Sequence, residues 1–289
     1  MLAAIIQARM GSNRLPGKTL TPLDGNPMLE ILVGQLKQSL LLDELIIATT
    51  TESKDDDIVK FSQDRNIKHF RGSELDVLGR MYHAARQFGV EHIVRVTPDC
   101  PLLDPEVMDL IIRTYLAGRY DYVSNTLRYT YPDGLDVEVF SFLALERAWK
   151  ESQTPSEREH VTTYIRTSGT FSTFGVENDI DLSHLKLSVD TMKDLDFVES
   201  IYGLLPGDRK TFRLSDVLQI LRNHPELSEI NDRSIINEGY YKSLASDPPE
   251  PARKLQLDNS THLKLKAQDL IPSGTQTFSK GPTQLVQGA

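Results

Sequence analysis

The sequence has little from which to build cross-links or soft-metal sites. Its single cysteine, Cys100, excludes an internal disulfide framework and a multi-thiolate metal centre. Seven scattered histidines make no zinc set with it. No apolar run approaches the ~20 residues that a membrane span needs. The opening apolar stretch is only Leu2 to Ile6, and basic residues follow it rather than precede it, the wrong order for a secretory leader. A basic excess is also missing: the net charge is −9, which argues against nucleic-acid binding. These absences lead to the expectation of a cytoplasmic protein with neither nucleic acid nor membrane among its partners.

What is present is ordinary in bulk and uneven in detail. Hydrophobic residues make up 39% and charged residues 25%, as in a soluble globular chain. A length of 289 residues accommodates one large α/β domain, alone or with an appendage. The first 23 residues carry Arg9, Arg14 and Lys18 but no acid. An acidic protein that opens with a cationic patch suits a small polyanion better than a nucleic-acid backbone.

Strand and helix patterns alternate along the chain. Short apolar runs at 2–7, 45–49, 67–70 and 93–96 predict strands, and 120–124 and 135–140 predict later ones. Helical spacing predicts helices over 26–39, 54–64, 76–88, 106–116 and 193–202, the third ended by Gly89. Such β-α units imply an α/β fold, a mostly parallel Rossmann-like sheet with helices on both faces. Its ligands belong beyond the carboxyl ends of the strands, hence at the loops after Gln7 and Val96. Asp247-Pro248-Pro249-Glu250-Pro251 reads as a linker. A domain over 1–245 is therefore expected, with 246–289 a poorly ordered tail or the start of a fused domain.

The loop Ala8-Arg9-Met10-Gly11-Ser12-Asn13-Arg14-Leu15-Pro16-Gly17-Lys18 combines turn-forming glycines with three cations, four or five residues apart, that can converge on one triphosphate. It is not a Walker A loop, because Ser12 stands where the first glycine belongs. Two aspartates are placed as strand-end carboxylates. Asp99 lies between Pro98 and Pro101, and Asp190 ends the apolar run Leu187-Ser188-Val189. Each has an alternative reading as a turn or helix-cap residue. Asp76 and Arg80 stand one helical turn apart, as a surface pair would. Asp55-Asp56-Asp57 opens a helix, where the dipole favours acids. The segments Asp133-Gly134-Leu135-Asp136-Val137-Glu138 and Arg158-Glu159-His160 concentrate polar chemistry late in the chain, with solvated-hairpin and capped-helix readings beside the functional one.

The opening residues Ile5-Ile6-Gln7-Ala8-Arg9-Met10-Gly11-Ser12-Asn13-Arg14-Leu15-Pro16-Gly17-Lys18 closely resemble those of the 3-deoxy-manno-octulosonate and acylneuraminate cytidylyltransferases. They are nearer still to the subgroup named for spore-coat polysaccharide biosynthesis. The resemblance runs from residue 1 to about 245 and includes Val189-Asp190-Thr191-Met192-Lys193-Asp194-Leu195. It implies a nucleotide-diphospho-sugar transferase type of fold and a Mg²⁺-dependent transfer of CMP from CTP to a sugar acid or related acceptor, releasing pyrophosphate. Ala8, Arg9, Gly11, Ser12, Arg14 and Lys18 would line the nucleotide's phosphates. Asp99 and Asp190 would hold the Mg²⁺, leaving Asp194 an ordinary helix role. Arg9 and Lys18 join these aspartates as the expected catalytic set. Asp76 and Arg80 would lie on the base side. Asp133, Gly134, Asp136, Glu138, Arg158, Glu159 and His160 would face the acceptor.

Thr97-Pro98 stands where the sugar-acid members carry Gln-Gly before the aspartate, which separates the base and ribose contacts of that loop from the family's. The alternatives are a glycosyltransferase using a nucleotide-sugar donor, against which the triphosphate-suited loop argues, and a non-catalytic nucleotide-binding module. The tail from Leu270 to Pro282 resembles the first residues of class III pyridoxal-phosphate aminotransferases, implying a fused or partner enzyme of that kind. The sequence leaves room for a homodimer.

Overall fold

The computed structural model describes residues 1–12, 14–207, 209–230 and 238–247. The linker from Pro248 and the tail to Ala289, with the aminotransferase-like segment, lie outside the described residues. In chain order the elements are β1 (Leu2–Gln7), β2 (Pro22–Leu23), β3 (Asn26–Pro27), α1 (Met28–Leu36), β4 (Glu44–Thr50), α2 (Asp56–Asp64), β5 (Lys68–Gly72), α3 (Val77–Phe88), β6 (His92–Val96) and α4 (Pro105–Ala117). They continue with β7 (Tyr122–Ser124), β8 (Glu138–Ser141), α5 (Phe142–Glu151), α6 (Pro155–Glu159), α7 (Thr163–Thr167), β9 (Thr173–Gly175), α8 (Met192–Leu204), α9 (Leu214–Asn223) and α10 (Glu238–Ser246).

One seven-stranded sheet runs β5-β4-β1-β6-β8-β7-β9. All neighbours are parallel except β8, which is antiparallel to both β6 and β7. Alternate residues of each central strand serve opposite layers, as the pleat requires. Ala4, Ile6, Ile47 and Val94 join one apolar layer with α1, α4, α8 and α9. Ala3, Ile5, Ile46 and Ile93 join the other with α3 and α5. Burial on both faces explains why β1 and β4 read as continuous apolar runs.

The local chemistry sets the ends of the elements. Asp76 caps α3 by accepting a hydrogen bond from Gly79 N, and Gly89 ends it in the left-handed region at φ 65°. Thr191 and Asp194 close a capping box on α8.

Two expectations are corrected here. Residues 187–189 are not a sheet strand. Lys186 forms only an isolated bridge with Asp133, and the extended segment after it lies against residues 133–134 and 99 instead. The expected strand over 135–140 shortens to β8, and its antiparallel direction matters for the site. Residues that precede β8 emerge on the same sheet edge as the carboxyl ends of β1, β4, β6 and β7.

Candidate active site

The loop after β1 is anchored from beneath. Asp55, buried at the end of β4's loop, accepts a hydrogen bond from Met10 N at 2.6 Å and another from the Thr50 hydroxyl. Thr19 Oγ1 donates to Arg9 O at 2.8 Å, and Ser12 N and Gly17 N both donate to Met10 O at 3.0 Å. Asp55 stands at the N-cap of α2, with Asp56 and Asp57 in the first turn as expected, but its side chain makes no cap hydrogen bond and turns to the loop instead. It supports the loop, and only the fold of the preceding strand reveals that.

The loop delivers Lys18 to both candidate metal aspartates. Its ammonium donates to Asp99 Oδ2 at 2.8 Å, Asp190 Oδ1 at 3.0 Å and Val189 O at 2.9 Å. Arg14 reaches the same Asp190 oxygen at 2.8 Å. Asp99 and Asp190, about ninety residues apart in sequence, therefore meet at one cationic nitrogen. Their backbones are tied as well, Val189 N donating to Asp99 O at 2.9 Å. Burial works to raise the Asp99 pKa, but the charge and hydrogen bond of Lys18 outweigh it and bring the carboxyl down to about 2. Burial opposes the charge on Lys18, and the two aspartates reverse that, holding it well above its ordinary value. Asp194 is spent on α8: it accepts from Asp190 N, Thr191 N and Lys186.

Arg9 lies on the other side of the loop, 3.9 Å from Glu74, which Lys54 also holds at 2.6 Å. Gly11 passes directly over this pair, since a Cβ there would stand 2.9 Å from Lys54 Nζ. Arg80 and Asp76 do not form the expected surface pair. Arg80 is 3% exposed and donates to Ser73 O, while Asp76 caps α3 and approaches Arg158 at 3.6 Å. Burial, with Arg9 next, pushes the Arg80 pKa down to about 10.

Beyond the two aspartates opens a cavity of about 270 Å³, whose lining includes Asp133, Asp136, Glu138 and His160 with Arg14, Arg95, Thr97 and Arg166. Arg158 and Glu159 are not on that lining. Arg158 is drawn to Asp76 and to Ser152 O, and Glu159 accepts from Ser243 on α10. Gly134 serves backbone approach: at φ 106° a side chain there would meet Leu187 C and Ser188 N at 2.6 Å.

Glu138 is committed to the wall. It pairs with Arg95, its neighbour across β6 and β8, and accepts from Tyr122 at 2.6 Å and Thr162 at 2.5 Å. Arg95 in turn donates to Gln7 at 3.0 Å. Burial favours protonation of Glu138, yet Arg95 and Arg166 prevail and lower its pKa. Asp133 accepts from Ser188 Oγ at 3.0 Å, and burial followed by the Asp99 and Asp190 charges pushes it up to about 6. Sequence reasoning missed Arg95 and Arg166 as lining residues. The signal of Arg95 was its place opposite Glu138, readable only once β8 is known to run against β6, whereas Arg166 comes from α7 and left no such signal.

Among the described residues no helix is long and apolar enough to cross a membrane. A family model described as cytidylyltransferase matches residues 3–219. The spore coat polysaccharide biosynthesis protein SpsF of Bacillus subtilis is 32% identical over 77% of this chain and 94% of its own length. An uncharacterized protein of Methanocaldococcus jannaschii is 37% identical over 80% of this chain and 94% of its own. A cytidylyltransferase structure from Leptospira borgpetersenii superposes with TM-score 0.76 at 31% identity, covering 81% of this chain and 98% of that one. A structure of CMP:2-keto-3-deoxy-manno-octonic acid synthetase with CTP, at 16% identity and TM-score 0.54, shares the fold. The loop, the paired aspartates and a family match over most of the chain lead to one conclusion: the chain belongs to the cytidylyltransferase family and is a nucleotidyltransferase.

Proposed function

We propose that the protein transfers CMP from CTP to a sugar acid or related sugar-like acceptor, with Mg²⁺, releasing pyrophosphate. The observation that carries this reading is the convergence of Lys18, Arg14, Asp99 and Asp190 at the mouth of the cavity. It joins a triphosphate-suited cationic loop to a pair of hard carboxylates. That donor set fits Mg²⁺, which takes few protein ligands and completes its shell with phosphate and water. When held by Asp99 and Asp190, the ion supplies positive charge that polarises the α-phosphate.

The chain's own residues do the rest by position and charge. Asp99 stays ionised because Lys18 holds its pKa near 2. All three ammonium protons of Lys18 are engaged with Asp99, Asp190 and Val189. Released from the carboxylates, Lys18 can turn to the β- and γ-phosphates alongside Arg9 and Arg14 and stabilise the leaving pyrophosphate. The cavity holds the acceptor so that its oxygen attacks the α-phosphorus as the bond to the bridging oxygen breaks. The likeness to SpsF supports a role in surface polysaccharide or glycoconjugate synthesis.

A screen for pyrophosphate release tests this, pairing each of the four ribonucleoside triphosphates with sugar acids, sugar phosphates and polyol phosphates, with Mg²⁺ or with chelator. Release that requires CTP, Mg²⁺ and an acceptor is expected. Transfer from a nucleotide-sugar without use of free CTP overturns the reading. Lys18→Ala should weaken CTP binding by about 1.5–3 kcal/mol and CMP binding far less. Equal weakening in calorimetry contradicts the phosphate role of Lys18.

A further inference from the structure

Four non-glycine residues among the described ones have a positive φ: Asp24, Asn66, Val161 and Arg209. Asp and Asn enter that region at little cost, whereas a β-branched residue there is a genuine outlier. Val161 is also fully buried, at φ 51°. It centres a three-residue turn, closed by Thr162 N donating to His160 O at 2.5 Å. Such a turn with a positive φ at its centre is rare and strained. Where α3 and α7 simply end, the same chain places Gly89 and Gly169, at φ 65° and 69°. A strained turn that glycine would relax persists only where its surroundings hold it, and such turns gather at functional sites.

The surroundings hold this turn on each flank. His160 N donates to Ser156 O at 2.9 Å and closes α6, and Arg166 N donates to Thr162 O at 3.0 Å and opens α7. Val161 joins the apolar layer of α3 and α5, with Ile165. The Thr162 hydroxyl donates to Glu138 Oε1 at 2.5 Å, tying the turn to the Arg95–Glu138 wall. His160 on one side of the turn and Thr163 and Arg166 on the other all line the cavity. A change at residue 161 therefore moves the two groups against each other. We propose that Val161 and Thr162 are positioning residues for the acceptor: their strained, pinned turn sets His160, Thr163 and Arg166 to meet it. This rests on the cytidylyl-transfer reading of the same cavity. The phosphate end has its own supports, Asp55 and Thr19 at the loop after β1, so nucleotide binding does not depend on the turn.

The test uses the full chain with Mg²⁺. CTP binding is measured by calorimetry, and acceptor KM and kcat by pyrophosphate release. The probes are 3-deoxy-manno-octulosonate, N-acetylneuraminate, and the sugar and polyol phosphates of the screen above. Val161→Gly frees φ and removes the buried isopropyl group. It should raise the KM of the acceptor that turns over best by about tenfold or more, the scale of a misplaced contact, with the Kd of CTP within about twofold of the parent. Thr162→Val, which keeps the shape and removes the donor, should raise the same KM. Thr162→Ser, which keeps the donor, should bring it back toward the parent. Loss of folded enzyme alone lowers kcat and leaves KM unchanged, so that pattern in both Val161→Gly and Thr162→Val overturns the inference. Equal weakening of CTP and acceptor overturns it too, as does a Thr162→Ser that behaves like Thr162→Val. If Val161→Gly fails to fold, the Thr162 pair decides alone. CTP binding without turnover of any probe brings the inference down and leaves the nucleotide reading standing. Failure to bind CTP in calorimetry sinks that reading itself.

Discussion

The two ends of the cavity each present two aspartates, and the fold treats them in opposite ways. At the phosphate end, Asp99 and Asp190 are drawn onto one lysine, with Arg14 behind it. At the acceptor end, Asp133 has one neutral donor, and burial keeps its pKa near 6. The first pair shares one cation, because the Lys18 ammonium bonds both carboxylates. The second pair draws less from the protein: Ser188 donates to Asp133, and Lys186 and Arg95 act on the two carboxyls through their charge alone. The contrast is sharpest within one stretch of chain. Glu138 and Asp136, two residues apart, both line the cavity, yet only Glu138 is paired, with Arg95, Tyr122 and Thr162.

Substitutions that separate paired from unpaired acids test this contrast. Glu138→Gln carries the largest expected effect on stability. It leaves the part-buried Arg95 without its counter-charge, and breaking such a pair costs up to about 3 kcal/mol. Urea unfolding should show that loss, whereas Asp136→Asn should be neutral or stabilising. Equal losses for the two variants would erase the distinction between them.

Asp133→Asn is expected to act in the opposite direction and with pH dependence. The folded-state pKa of Asp133 is raised from 3.8 to about 6. Below its unfolded pKa it is protonated in both states and contributes nothing. As pH rises through the folded pKa, the buried charge destabilises the native state. The variant should match the parent near pH 4 and exceed it by about 2 kcal/mol above pH 7. A difference independent of pH would contradict that assignment.

Asp99 supplies the mirror case at the phosphate end, with a smaller margin after solvent screening. Its folded pKa is lowered from 3.8 to about 2. Its contribution, on the order of 1–2 kcal/mol, is present above the unfolded value and lost as pH falls through the folded one. Acid unfolding of Asp99→Asn should therefore lack the part of the stability loss that the parent shows between about pH 4 and pH 2. An unchanged acid limb would show that Lys18 does not hold this carboxyl.

Much of this organisation was legible in the sequence. The continuous apolar run 2–7 became β1 residue for residue, and Gly89 ended α3 where capping chemistry placed it, while Asp76, read as half of a surface pair, caps the other end. Asp99 and Asp190 were named as partners, but for an incomplete reason: Asp190 reaches Asp99 from an extended segment, held by Gly134's lack of a side chain, and not from a parallel strand. Periodicity reports that a run is buried and says nothing of what buries it. Nor does it give direction. The antiparallel course of β8, which brings Asp133 and Asp136 to the reactive edge and sets Arg95 opposite Glu138, left no mark in the residue pattern. Asp55 was hidden for a related reason, since its role depends on a backbone N–H supplied from Met10. Arg158 and Glu159 share a polar segment with His160, yet a short helix turns them toward Asp76 and Ser243 instead.

Asp190→Asn tests the central claim, that Asp99 and Asp190 jointly serve the metal–triphosphate end of the reaction, most directly. The substitution keeps the side chain's shape, and α8 remains capped by Thr191 and Asp194, so the fold should persist in circular dichroism and thermal melting. CTP-dependent pyrophosphate release at saturating Mg²⁺ should fall by at least ~10²-fold, as when other transition-state electrostatics are removed. Turnover near that of the parent, with the Mg²⁺ dependence unchanged, would contradict the two-aspartate site.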